Sequence, residues 1–281
     1  MAALSLDRQK ARGIGCGTGL VLITLVLFIP ILWMIMLSLK TEGEYSQSAL
    51  QLLPAVPQWD NYWDALTKID FAKFMLNSLV LSLLYTVPTV ITSSMAGFAF
   101  ASLEGPGKRL YFGVIIAMLM IPAIVFIIPQ FVIFARLRLT GTYWPWFLWG
   151  ISGNAFHIFL FRQFFAGFPK ELQEAAEADG ASIARFFVQI LLPNAKPALA
   201  TSFILSFAYV WGDWFLPTIY LNADNTNLAA MLLNGYRNPQ GFTITTVTMA
   251  AAALYVLPLV IMFFLMQRWI MEGIATSGLK G

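Results

Sequence analysis

Long apolar runs, separated by short polar stretches, set the pattern of this chain. Crossing hydrocarbon about 30 Å thick takes roughly 20 helical residues. Six runs reach that length: 14–39, 74–100, 110–134, 144–165, 198–221 and 243–267. They are continuous rather than alternating, which excludes a transmembrane β-barrel. Pro88, Pro122, Pro129 and Pro258 lie inside them. Within a bilayer proline is tolerated because neighbouring helices or waters satisfy the freed carbonyls, so these positions predict kinks rather than ends. The pattern predicts an all-α membrane protein with six transmembrane helices. No segment could form a sizeable soluble domain, and no internal repeat marks an inverted-repeat secondary transporter.

Composition agrees with that reading. Of 281 residues, 59% are hydrophobic and 11% charged, against roughly 25% charged in soluble domains. The net charge of +3 does not imply nucleic acid, because Lys and Arg cluster beside the apolar runs. With the N-terminus in the cytoplasm, the inner segments hold Arg8, Lys10, Arg12, Lys108, Arg109, Arg162, Lys170, Arg185, Lys196, Arg268 and Lys280. The outer segments hold Lys40, Lys68, Lys73, Arg136, Arg138 and Arg237. This excess on the inside predicts that both termini are cytoplasmic. The first run is much longer than the roughly 7–15-residue core of a signal peptide, so it reads as a retained helix. The single cysteine, Cys16, leaves no intrachain disulfide and no Cys-based metal site.

Outside the spans, residues 41–73 form the longest stretch. Pro54, Pro57, Trp59, Asn61, Tyr62 and Trp63 predict a folded-back turn with aromatics at the headgroup level. The chain therefore divides into 1–72 (cytoplasmic N-terminus, first helix and external segment), a core of five helices over 73–271, and a cytoplasmic tail over 272–281.

One polar segment, 168–197, separates two spans and has helical order of its own. Phe168-Pro169 opens it, and Glu171 falls in the first turn, where negative charge suits the helix dipole. Glu171, Glu174 and Glu177 recur at helical spacing, with Ala175, Ala176 and Ala178 between them. Asp179-Gly180 ends the helix, since glycine takes positive φ without steric cost. Ser182 caps a second helix whose Phe186, Phe187, Ile190 and Leu191 share one apolar face, and Pro193 stops it. Composition alone is also compatible with an ordinary solvated loop.

The segment resembles the EAA loop of ABC-importer permeases. Glu174, Ala175, Ala176, Asp179, Gly180, Ala181, Phe187, Ile190, Leu192, Pro193 and Pro197 carry the match. Over nearly the whole chain the sequence is similar to the carbohydrate-uptake branch, the maltose-type second permease. Asn61-Tyr62, Asn77-Ser78, FLFRQFF at 159–165, WGDWFLPTIYL at 211–221 and SGLKG at 277–281 carry that similarity. Gly212 stands where members often have Asn, so no amide role is transferred there. The resemblance implies a type I importer fold in the cytoplasmic membrane of a prokaryote, multi-pass. It also implies a partner permease, a cytoplasmic ATPase dimer that holds ATP and Mg, and an extracytoplasmic solute-binding protein. The solute would be a sugar or sugar-like; a glycerol-phosphate-type or polyamine substrate shares the same fold. Docking to the ATPase would fall to Glu171, Glu174, Ala175, Ala176, Asp179, Gly180 and Ala181, with the tail residues Ser277, Gly278, Lys280 and Gly281. Asn234, Gly235 and Tyr236, in the outer loop 222–242, would meet the binding protein.

No cofactor is expected on this chain and no catalytic constellation is present. GPGK at 105–108 has neither the spacing nor the hydroxyl residue of a P-loop. An ATP-independent secondary transporter fits the composition but not the EAA segment. His157 has no carboxylate partner in sequence and reads as a satisfied intramembrane histidine. Asp213 is the only acid inside the six runs, and such groups face protein or water. It lies about 12 Å inside the end of its run by helical rise. Asp213 flanked by Trp211 and Trp214 suits a sugar, whose hydroxyls donate to carboxylate and whose C–H faces pack on indole. The competing reading is an interfacial belt with Asp213 as an anchor. Asn77 and Asn154 join the solute-path candidates on polarity.

Overall fold

The computed structural model of the chain describes residues 2–47 and 51–278, with the side chains of 17–47 and 51–271. The described residues form a succession of helices joined by short connections. In chain order these are α1 (Ala2–Ser38), α2 (Glu42–Gln47), α3 (Asp60–Thr67), α4 (Phe71–Ser102) and α5 (Lys108–Leu119). A 3-10 turn (Ala123–Phe126) leads to α6 (Ile127–Arg136), α7 (Trp144–Ile151), α8 (Ala155–Phe165) and α9 (Lys170–Ala178). Next come α10 (Ile183–Arg185), a π-helical turn (Phe186–Leu191) and α11 (Leu192–Asn194). The chain ends with α12 (Lys196–Trp211), α13 (Phe215–Tyr220), α14 (Leu228–Asn234) and α15 (Thr245–Gly278).

Three helices are unbroken and apolar enough to cross a membrane: Gly17–Ser38, Phe71–Ser102 and Thr245–Met271. Pro88 and Pro258 sit inside two of them without ending the helix. The other three predicted runs are each broken. Pro122, extended at φ −60° and ψ 129°, separates α5 from the 3-10 turn, and the two halves meet at 96°. A kink was expected there and a turn is found, because proline disfavours helical geometry at the preceding residue and lacks its own donor. The run 144–165 is interrupted at Ser152–Asn154, and the run 198–221 at Gly212–Trp214.

The chain forms two compact units, 1–71 with 234–255, and 72–233 with 256–281. Residues 234–255 group with the N-terminal segment. Two hydrogen bonds account for this: Tyr236 donates its hydroxyl to Ala65 O at 2.6 Å, and Thr246 N–H donates to Glu42 Oε1 at 2.6 Å. In the same unit Asn61 closes the end of α1, donating Nδ2 to Ser38 O and Lys40 O at 2.8 Å each. The Tyr62 and Ser38 hydroxyls lie 2.7 Å apart. Glu44 and Thr41 form a capping box on α2: Thr41 Oγ1 accepts from Glu44 N–H, and Glu44 Oε2 accepts from Thr41 N–H. Helix α15 continues to Gly278, so position 272 is not a helix end; Lys280 and Gly281 lie outside the described residues.

In the larger unit, aromatic residues dominate the packing. Phe98 of α4 stacks on Phe187 at 5.0 Å and meets Phe165 of α8 edge-on at 6.4 Å. Such pairs contribute about 0.5–1.5 kcal/mol each beyond area burial. A Cβ on Gly97 would fall 2.5 Å from Phe161 Cβ and 2.9 Å from Arg162 N. Glycine here lets α4 and α8 touch backbone to side chain, the small-residue contact that membrane helices use.

Candidate functional site: a cavity at three helix breaks and an exposed helical pair

Each break is made by residues that suit it. Gly153 takes φ +73°, and Asn154 follows as the N-cap of α8, its Oδ1 accepting from Phe156 N–H at 2.9 Å. Asp213 plays the same part for α13. Its Oδ1 accepts from the N–H groups of Phe215 at 2.8 Å and Leu216 at 3.2 Å. Short polar side chains hold the unpaired donors of a helix start in this way. Asp213 is therefore neither an anchor at the surface nor simply a wall residue. It is the cap that permits the break.

The three breaks converge on one cavity of about 500 Å³. Non-helical backbone at membrane depth is tolerated where it lines such a space. Tyr85, Gln130, Trp149, Asn154, Tyr209 and Asp213 bring the polar and aromatic character to its wall. Asn154 also donates Nδ2 to the Tyr85 hydroxyl at 3.3 Å. Asp213 is the only charged residue in the lining. Sequence reasoning picked out Asn154 and Asp213 but missed Tyr85, Gln130, Trp149 and Tyr209. Gln130, an amide inside an apolar run, was the one available signal; the three aromatics look like ordinary membrane residues.

Other predicted residues lie elsewhere. Trp211 is buried and stacks on Phe207 at 5.3 Å, outside the cavity wall. Trp214, 44% exposed, packs edge-on against Phe215 and is likewise no part of the wall. Neither tryptophan lines the cavity with Asp213; the indole in its wall is that of Trp149. Asn77 donates to Thr226 O at 2.9 Å, and Ser78 Oγ accepts from Leu228 N–H at 2.9 Å. Both tie α4 to the start of α14 rather than face the cavity. Tyr236 is buried, with its hydroxyl held by Ala65, so it offers no surface to an external partner. Asn234 is exposed, and Gly235, at φ +63°, turns the chain beside Thr243. His157 is buried between Ser202 and Ser206 of α12, whose hydroxyls lie 3.0 Å from Nδ1 and 2.9 Å from Nε2. A neutral imidazole donates through one nitrogen and accepts through the other, so this histidine fastens α8 to α12.

The EAA segment folds as a helix, a sharp turn and a second helix. Glu171, Glu174, Ala175, Glu177, Ala178 and Asp179 are exposed on α9, while Ala176 faces inward. Gly180, at φ +77°, donates to Glu177 O at 3.0 Å, and Ala181 donates to Ala176 O at 2.9 Å. Those two bonds make a Schellman turn. Ser182 Oγ accepts from Arg185 N–H at 3.3 Å and starts the second helix. Phe186, Phe187 and Leu191 are buried there, whereas Ile183 and Val188 are exposed. Pro193 does not stop this helix. The π-helical turn before it removes the clash that proline makes with the carbonyl four residues back. The break falls at Ala195, and α12 leaves at 79° to Ile183–Asn194. Ala176, Phe186, Phe187 and Leu191 share one apolar cluster with Phe98 of α4, Phe165 of α8 and Ala198 of α12. Those three helices also carry Tyr85, Asn154 and Tyr209 or their caps to the cavity.

Known proteins similar to the chain agree on one family. Residues 90–275 match the family described as binding-protein-dependent transport system inner membrane component. The chain is 34% identical over 241 residues to the sn-glycerol-3-phosphate transport system permease protein UgpE of Pectobacterium atrosepticum, covering 83% of this chain and 85% of that one. It is 31% identical to the trehalose transport system permease protein SugB of Mycobacterium tuberculosis, over 90% of this chain and 92% of that one. Among solved structures, a bacterial ABC transporter involved in the import of the acidic polysaccharide alginate has a chain of the same fold. Its TM-score is 0.79 at 23% identity, over 92% of this chain and 96% of that one.

Proposed function

This chain belongs to the family of binding-protein-dependent transport system inner membrane components, and from that premise we propose that it carries a neutral sugar or polyol through the cavity at its helix breaks. Members of the family are multi-pass inner-membrane permeases of ABC importers, and ATP hydrolysis belongs to a separate subunit. The observation that carries the solute reading is the cavity wall. It holds one carboxylate, two amides, two phenols and an indole, and neither lysine nor arginine. Phosphate esters are recognised by the fork of Arg and the point charge of Lys. Glycerol phosphate, the solute named for one relative, therefore fits this wall poorly. Trehalose, named for another, has the hydroxyls and C–H faces that it suits.

Three unbroken helices and two bent pairs are long and apolar enough for five crossings; we read α7 with α8 as a sixth, because together they cover the apolar run 144–165. The inner excess of Lys and Arg then puts both termini in the cytoplasm. The exposed face of α9 docks on the ATPase, with a second permease chain and an external binding protein completing the importer. Support for docking is mechanical. Ala176, Phe186 and Phe187 pack onto α4, α8 and α12, so a displacement of α9 is delivered to the helices that bound the cavity. Close-packed side chains transmit such movements because they have few voids to absorb them.

Radiolabelled uptake into vesicles holding the assembled importer tests the solute reading. Unlabelled neutral disaccharide should compete with the transported sugar, and glycerol phosphate should not. Competition by glycerol phosphate at equal concentration overturns the assignment. One observation favours a second reading: the sole charge of the wall is negative, which also suits a polyamine. Competition by spermidine but not by sugar would select it.

A further inference from the structure

Arg162, at the centre of the FLFRQFF motif, takes no part in the cavity at the helix breaks. It lies instead on a second cavity of about 570 Å³, between the start of α5 and the side of α8. Lys108, Arg109 and Arg162 face a single acid there, Glu104, and Phe100 and Phe112 complete the wall. Glu104 does not neutralise them. Its side chain is 94% exposed, with a carboxylate oxygen 3.8 Å from Lys108 Nζ, and ion pairs in that setting contribute little. Among the described residues Arg109 and Arg162 form no ion pair. Arg162 is nevertheless held in place. Its guanidinium lies 4.3 Å from the centroid of Phe112, and Nη1 donates to Gln163 Oε1 at 3.2 Å.

The arrangement is electrostatically unfavourable as it stands. Lys108 and Arg109 occupy the first turn of α5, where the dipole repels cations, and no acid accompanies them. No side chain caps that helix start either. An anion in the cavity would relieve the crowded cations. The surface beside it is apolar. Leu110, Tyr111, Val114 and Met118, each more than half exposed, continue along the same helix.

We propose that this cavity binds the phosphodiester headgroup of an anionic phospholipid, with its acyl chains along the exposed apolar face of α5. Arg162 and Lys108 meet the phosphate oxygens, because charge-assisted bonds from fixed donors are the strong ones. The apolar face distinguishes a lipid from a soluble anion, which would leave it uncovered. This site does not depend on which solute the permease carries.

The test is native mass spectrometry of the assembled importer, extracted from vesicles of phosphatidylethanolamine with or without phosphatidylglycerol. Retained phosphatidylglycerol should fall about tenfold in Arg162→Gln, the change expected for one lost charge-assisted contact. Because Arg162 lies where α4 and α8 touch, and Lys108 Nζ donates to Leu103 O at 2.6 Å, Arg109→Gln, at an exposed position of the helix start, repeats the measurement without disturbing either contact. Arg136→Gln, a cation on α6 outside this cavity, should retain lipid normally. Unchanged retention in both cavity variants overturns the proposal. So does displacement of the lipid by millimolar inorganic phosphate, which would make the site one for a soluble anion.

Discussion

At the scale of single residues, Asp213 combines two duties that substitution can separate. Its Oδ1 caps α13, and its charge is the only one in the cavity wall. Asparagine caps as well as aspartate does, whereas alanine costs about 1 kcal/mol at such a position. Asp213→Asn should therefore assemble normally yet lower the maximal uptake rate, while Asp213→Ala should lower both assembly and uptake. Radiolabelled uptake with co-purification of the ATPase measures the difference; normal transport by Asp213→Asn would leave the residue only its capping role. Glu44, outside the spans, is a second residue with a defined response. The backbone N–H groups of Thr41 and Ala55 hold its carboxyl below the ordinary carboxylate value of 4.5. A depressed value contributes stability that is present above the ordinary value and lost as pH falls through the lowered one. Hydrogen-exchange protection of the Thr41 and Ala55 amides should thus decline on acidification below 4.5. In Glu44→Gln, which keeps an acceptor but cannot titrate, protection should be independent of pH.

Among elements, the helical pair at 170–194 owes its geometry to one backbone conformation. A Cβ at Gly180 would meet nothing within 4 Å, so the constraint there is φ +77° and not space. For L-residues that conformation costs roughly 1–2 kcal/mol, and Asn bears it better than most. Gly180→Val should misalign the two helices and reduce transport-coupled ATP hydrolysis, and Gly180→Asn should retain most of it. Equal coupling in the two variants would sink the docking geometry proposed for α9. This turn was legible beforehand, because Asp179-Gly180 after a helical acidic stripe has few other solutions. The Thr41-x-x-Glu44 signature was equally available and went unread. The course of the second helix past Pro193 was not legible: a π-helical turn depends on how Phe186 and Phe187 seat against Phe98, which no local pattern encodes.

For the whole molecule, the contact at Gly97 joins the helix that carries Tyr85 to the one that Asn154 caps. Gly97→Val would place methyl groups where Phe161 and Arg162 already stand. Overpacking of this kind costs typically about 1–3 kcal/mol, and here it separates α4 from α8. Thermal stability of the purified importer should drop and uptake should be lost with it. Gly113, whose Cβ would meet nothing within 4 Å, is the control, and Gly113→Ala should behave as the native chain. If Gly97→Val melts like the native chain, α4 and α8 have room that this packing does not provide.

Hydropathy alone determined that the chain is helical and lives in a membrane, since only continuous apolar length satisfies hydrocarbon. A run of rare residues at fixed spacing, Glu174 to Pro197, determined the family. Neither could reveal that three of the six runs are broken, because two apolar half-helices and their junction have nearly the hydropathy of one continuous span. The polar residues at the junctions, Asn154 and Asp213, read as isolated exceptions in an apolar string. Only the tertiary structure brought the breaks together around one cavity, placed Trp149 there instead of Trp211 or Trp214, and turned Tyr236 inward. Local sequence records which backbone groups need a partner. Which side chain faces a shared space is decided by how separate helices pack, and that information is spread over residues far apart in the chain.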